Sequence, residues 1–166
     1  GDDRYLDILH YTAELYGPSV EEGPLDPDVR VEDFFFAATV LGRAFRSMGD
    51  AKYTNWLAEF LEAADTLQPN DLWWHCKASP FYWGRGNGFA ALGFAEALTY
   101  LPDDHASRSG LVKTHVRHLT GLARHQDESG MWRQIIDMPE TYQEFSSTAM
   151  IGYSIARGLR SGWLSD

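Results

Sequence analysis

A single cysteine, Cys76, occurs among the 166 residues. That excludes an internal disulfide framework and a zinc site built on cysteines. Cationic residues are also scarce. Fourteen Lys and Arg stand against 24 Asp and Glu, leaving a formal net charge of −10. Nucleic acid and an anionic membrane surface are thereby excluded as main partners. An anionic ligand would have to be met by a local cationic site within the acidic whole. No run of about 18 apolar residues is present, so no transmembrane helix is expected. The chain opens Gly1-Asp2-Asp3-Arg4 without an initiator Met or a signal-peptide pattern, which predicts the interior of a longer protein or a processed product. No nucleophile elbow, phosphate-binding loop, His-Glu-x-x-His or Cys-x-x-Cys is found. Neither a metal nor a cofactor is called for.

Hydrophobic residues make up 44% and charged residues 23%, the mix of a soluble globular domain with a real core. The sequence leaves a cytoplasmic or a secreted location open. Apolar residues recur with helical spacing nearly throughout, and no alternating run of strand length occurs. The pattern predicts an all-α fold with six helices, at about 3–16, 31–48, 50–66, 88–101, 107–125 and 147–161. Long links at 17–30, 67–87 and 126–146 alternate with short ones at 48–50 and 101–107. Short links join antiparallel neighbours. The long loops and the starts of every second helix therefore share one face. The helices after the long loops are rich in Ala and Gly, as in Phe89-Ala-Ala-Leu-Gly-Phe-Ala. The alternate ones are more charged. This predicts an inner and an outer layer of helices.

Chemistry-bearing residues gather at the starts of the inner helices. Trp83-Gly84-Arg85-Gly86-Asn87-Gly88-Phe89 spaces an aromatic plate, a guanidinium and an amide by single glycines. Glycines at alternate positions suggest a loop with φ > 0 that lies close to a ligand. A sugar acid fits the set, its ring stacking on Trp83 and its carboxylate pairing with Arg85. Asp33 opens another inner helix beside Phe34, Phe35 and Phe36. It reads either as a helix-start aspartate or as a desolvated general acid. Glu32 falls on a different face and makes no obvious acid–base pair with it. His75 follows Trp73 and Trp74, a sugar platform or a pair of core anchors. Trp132 is a further candidate plate, and Glu144 reads as structural. His115 and His118 are three apart, which would suit a metal, but a solvated basic face fits better. Three helix N-termini aimed into one pocket would create the positive field that an acidic sugar needs.

These blocks resemble the unsaturated glucuronyl and rhamnogalacturonyl hydrolases of glycoside hydrolase families 88 and 105. The matching stretches are Val31-Glu32-Asp33-Phe34-Phe35-Phe36-Ala37, Trp83 to Phe89, Leu101-Pro102-Asp103-Asp104-His105, Met131 to Asp137, Tyr142-Gln143-Glu144 and Ser147-Thr148-Ala149-Met150. The resemblance implies an (α/α)6 barrel and an acidic oligosaccharide substrate ending in a 4,5-unsaturated uronic acid. It implies no cofactor. An aspartate protonates C4 of the vinyl ether, water adds at C5, and the hemiketal opens to release the next sugar. By resemblance Asp33 is the proton donor and His75, Trp83, Arg85, Asn87 and Phe89 bind substrate; Trp132 is counted with the substrate-binding residues as a candidate stacking plate. Phe89 stands where the family commonly has Trp. Only half the helices of such a barrel are present. The chain is therefore expected to be one α/α-toroid domain over 1–166, the C-terminal half of a longer catalytic domain, closed by the missing half or a second chain. Two other readings stay open: a conventional (α/α)6 glycosidase or sugar epimerase, and a non-catalytic carbohydrate-binding remnant.

Overall fold

A computed structural model describes residues 3–18 and 28–165. A 3-10 turn at Asp3–Tyr5 leads into α1 (Leu6–Glu14). It is followed by α2 (Val31–Met48), α3 (Lys52–Glu62), α4 (Gly84–Tyr100), α5 (Arg108–Ala123) and α6 (Phe145–Arg160). Among the described residues there is no strand, only three isolated bridges in the loops. The expected helices are all found, but α4 begins at Gly84 rather than 88, so the glycine motif is helical.

Local chemistry sets the ends. Asp33 accepts the Arg30 N–H at 3.0 Å and caps α2, whose far end closes on Gly49 at φ 72°. Glu144 caps α6 by accepting from the backbone of Ser146 and Ser147. Burial alone would raise its pKa, but these donors outweigh it and hold the carboxyl below its usual range.

Helices α2, α4 and α6 pack side by side as the inner layer. Their direction follows from residues in contact. A Cβ on Gly93 would lie 2.6 Å from the Phe34 carbonyl carbon, and one on Gly42 2.1 Å from the Tyr100 ring. Thus 34 faces 93 and 42 faces 100, and α2 runs parallel to α4. Gly88 lies against Ser147 in the same way, while Arg157 reaches Glu96 at 3.2 Å, so α6 is parallel to both. All three inner N-termini share one end. The outer layer is α1, α3 and α5. Glu14 of α1 accepts from Tyr53 Oη and pairs with Lys52, each at 2.8 Å, pinning α1 to α3.

The core runs between the layers. Phe34, Trp73 and Phe94 meet edge-on or tilted with centroids 5.0–5.9 Å apart, an arrangement favoured by the ring quadrupoles. A second cluster joins Leu72, Ala91, Leu119, Leu122, Trp132 and Ile151. The long loops thus plug the core with Leu72, Trp73 and Trp132. Here two expectations are corrected. His115 and His118 do not face solvent; both are fully buried on the inner side of α5. Burial lowers the pKa of His115 to about 4. It lowers that of His118 as well, with the His115 charge adding to the effect.

Candidate active site

The inner helices present their functional side chains in layers. Helical register puts residues three, four or seven apart on one face. Deep in the layer, Glu96 of α4 pairs with Arg43 of α2 at 3.7 Å and with Arg157 of α6 at 3.2 Å. Arg157 also donates to the Tyr153 hydroxyl at 2.7 Å. One carboxylate thus ties three helices. Seven residues back toward the N-termini, Phe36 and Phe89 face each other at 6.0 Å, with Phe35 equally close to Phe89. Phe36 keeps 47% of its surface exposed. One turn further up, on the same faces, stand Asp33 and Arg85. Register thus puts both residues at the mouth, the end of the layer where the inner helix N-termini lie and where backbone N–H groups favour anions.

Arg85 is exposed, and among the described residues it makes no ion pair. Its guanidinium lies over the Trp83 ring, with Cζ 4.8 Å from the centroid, a cation–π contact. Trp83 therefore offers that face to Arg85 and not to a sugar. Apolar surface open at this end includes Phe36, the half-buried Phe89 and Phe145 at the start of α6. The charge of Asp33 reaches Tyr16, whose phenol is raised first by burial and then by that carboxylate.

The glycines do different work from that expected. None of the motif's glycines has positive φ. Their missing side chains instead allow close approach. A Cβ on Gly84 would meet the Arg133 carbonyl oxygen at 2.2 Å, and one on Gly86 the Val31 side chain at 2.9 Å.

Asn87 is corrected from ligand to clamp. It is fully buried. Its amide oxygen accepts from Trp73 N at 3.0 Å and lies 3.1 Å from His118 Nε2. Its amide nitrogen donates to the carbonyls of Trp73 and Trp83, both at 3.0 Å. The amide thus fastens the 63–83 loop to α4 and α5. Trp132 is likewise corrected. It is 2% exposed, and its indole N–H donates to the Leu122 carbonyl at 2.7 Å, so it anchors the last loop and stacks on no ligand.

Backbone bonds hold both loops over the mouth: Val31 N to His75 O at 3.1 Å, Gly84 N to Gln134 O at 2.7 Å and Glu144 N to Trp132 O at 2.8 Å. Within the last loop Asp127 gathers donors from Ser129 and Gln143, which bring its pKa down to about 2. His75 sits at the rim, with Nε2 3.2 Å from Glu32 Oε1 and its ring edge-on to Trp83 at 5.2 Å. Sequence reasoning missed Glu32 as a partner, because the pairing crosses from α2 to a distant loop. It also missed the Arg43–Glu96–Arg157 tie, whose only sequence signal is the seven-residue step from Phe36 to Arg43 and from Phe89 to Glu96.

A cavity of about 330 Å³ lies elsewhere, between α1, α3 and the 63–83 loop, lined by Tyr16, Trp56, Phe60, Thr66 and Lys77 among others. None of the expected site residues lines it. Among the described residues no group of three or more His, Cys, Asp or Glu could hold a metal ion.

Comparison with known proteins agrees with this layout. The chain is 33% identical to the unsaturated rhamnogalacturonyl hydrolase YesR of Bacillus subtilis, over 93% of this chain and 52% of YesR. It therefore spans about half the length of that relative. Its fold matches a possible family 105 glycoside hydrolase of Salmonella enterica with a TM-score of 0.85 at 22% identity, covering 99% of this chain and 50% of that one. It matches the unsaturated glucuronyl hydrolase of Bacillus sp. GL1 with a TM-score of 0.67 at 18% identity, covering 97% and 48%. These solved structures are (α/α)6-barrel enzymes. The sequence profile of Glycosyl Hydrolase Family 88 matches residues 31–166. With the inner and outer helices in place and most of its length matched, the chain belongs to Glycosyl Hydrolase Family 88.

Proposed function

We propose that the whole protein containing these residues hydrolyses oligosaccharides ending in a 4,5-unsaturated uronic acid, of the rhamnogalacturonan type left by pectin breakdown. The observation that carries the reading is the shared mouth. What supports it is helical register: Asp33 and Arg85 each lie one turn before the facing Phe36–Phe89 pair, and among the described residues the exposed Arg85 makes no ion pair. In this reading Arg85 takes the uronate carboxylate, and Phe36 and Phe89 meet the sugar face. Asp33 gives its proton to C4 while water adds its hydroxyl at C5. The water's remaining proton returns the carboxyl group to its starting form. The hemiketal opens to a ketone at C5, freeing the former ring oxygen as a hydroxyl on C1, and collapse of that hemiacetal to the aldehyde releases the neighbouring sugar with its own oxygen. Family membership and the 33% identity to a rhamnogalacturonyl hydrolase support this choice.

The described chain supplies half of such a ring. The exposed Phe36, Tyr153, Phe145 and Leu159 on its inner helices favour closure by further helices, supplied by the rest of the same polypeptide or by a second chain. Among the described residues no helix is long and apolar enough to cross a membrane.

The test offers the complete polypeptide a lyase-generated unsaturated rhamnogalacturonan disaccharide and follows the ultraviolet absorbance of the conjugated acid. Loss of absorbance with release of the saturated sugar is expected. Turnover confined to saturated glycosides would replace the hydration chemistry with ordinary glycoside hydrolysis. Sugar binding without turnover would make the chain a carbohydrate-binding module.

A further inference from the structure

We propose that Glu32 is a positioning residue of the uronate site. It fixes the His75 ring, His75 squares Trp83, and Trp83 carries Arg85 in the attitude in which the guanidinium meets the substrate acid. The inference rests on the reading that Arg85 binds a uronate carboxylate.

The relay is continuous. Glu32 Oε1 lies 3.2 Å from His75 Nε2. A carboxylate only accepts, so a neutral His75 must carry its proton on Nε2. Nδ1 then holds the lone pair, and it lies 3.9 Å from the Cys76 sulfur, on the acceptor side of the thiol. Nε2 is thus committed within the protein. His75 acts on the site through its T-shaped contact with the Trp83 ring, with centroids 5.2 Å apart and planes at 82°. This geometry is favoured by the ring quadrupole and resists rotation of the indole. Arg85 in turn lies on that indole.

The cost at Glu32 points the same way. Its side chain is only 21% exposed, as that of His75 is 22%. Its second oxygen, Oε2, is buried and has no hydrogen-bond partner among the described residues. An acid serving only the helix start would be better placed in water, where both oxygens are satisfied. Here one oxygen forgoes water while the other holds an imidazole against the plate under Arg85.

The experiment uses the complete polypeptide labelled with nitrogen-15 in His and Arg. In the wild type the His75 signals should report the Nε2–H tautomer, and the Arg85 side-chain protons should be shifted upfield by the Trp83 ring. Glu32→Ala should give mixed His75 tautomers and lose the Arg85 ring shift. It should raise KM for the unsaturated disaccharide about tenfold with kcat within about twofold. Glu32→Gln keeps an accepting oxygen and should restore all three readouts. In an Arg85→Ala background, Glu32→Ala should add no further rise in KM. A wild-type Nδ1–H tautomer, or unchanged His75 and Arg85 signals in Glu32→Ala, would overturn the proposal. So would a full additional loss in the Arg85→Ala background. If Glu32→Ala does not fold, the wild-type tautomer and the Glu32→Gln spectrum decide. An inactive wild type would instead refute the hydrolase reading, and the two sets of signals would still decide the relay.

Discussion

Asn87 tests the difference between a ligand-binding motif and a packing motif. Replacing it with Ala removes an amide that touches four groups: the N–H and carbonyl of Trp73, the carbonyl of Trp83 and Nε2 of His118. Two of those groups, the Trp73 N–H and the His118 ring nitrogen, are buried donors that lose their acceptor. An orphaned buried group costs about 1–3 kcal/mol, and the small void adds to it. The sum is about 3–5 kcal/mol, near the upper end for single substitutions. For a domain of this size that lowers Tm by roughly 6–20 °C. Asn87→Asp should be at least as damaging, since it turns the amide nitrogen into an oxygen facing two carbonyls. The assay is denaturant and thermal unfolding of the complete polypeptide, with KM measured well below the new Tm. A variant with unchanged stability and a large rise in KM would refute the clamp and return the amide to the sugar.

Asp33→Asn should abolish turnover yet keep the fold, because the amide oxygen can still cap Arg30 N; near-normal hydration rates would remove Asp33 from the acid role. Arg85→Ala should reduce kcat/KM for the uronate about 30–150-fold, from a charge-assisted bond of about 2–3 kcal/mol, and much less for its methyl ester; equal losses on acid and ester would undo the assignment. Gly93→Ala should destabilise by about 1–3 kcal/mol, because the new methyl meets the Phe34 backbone rather than a movable side chain; wild-type unfolding midpoints would contradict the close packing of α2 on α4. His115 has a pKa near 4 when folded and about 6.5 when unfolded, so between these values the unfolded chain binds more protons and stability falls as pH falls. The loss approaches about 3 kcal/mol at pH 4, with His118 acting in the same direction, and His115→Leu should flatten that part of the stability–pH curve; identical slopes in the two proteins would remove the histidine from the account.

The helical architecture was legible because it is written in local spacing. Six apolar periods and an alternation of long and short links specify the inner layer and its shared end. Asp33 and Arg85 could be placed by the same means, since each opens an inner helix. What failed depends on contacts far apart in sequence. The glycines of 84–88 looked like a turn because backbone freedom is the local property of glycine; their actual use is the space that Arg133, Val31 and Met150 occupy. Asn87 and Trp132 looked like sugar ligands by residue type, but apart from the Trp83 carbonyl their partners come from loops and helices 10 to 31 residues away. His115 and His118 sit among Lys113, Arg117 and Arg124, and only the packing of α5 against Phe94 and Trp73 turns them inward.

The loops that roof the mouth are tied to the inner helices by peptide groups, at Val31, Gly84 and Glu144. Such anchors are indifferent to which side chains the roof carries. Exchanging residues on these loops such as Phe81 and Tyr142, both largely exposed, should leave Asp33 and Arg85 in place. On the proposed uronate reading, the frame and the selectivity of the rim are separable: a graft of either loop should retune which sugar follows the uronate while leaving the chemistry at the first ring in place.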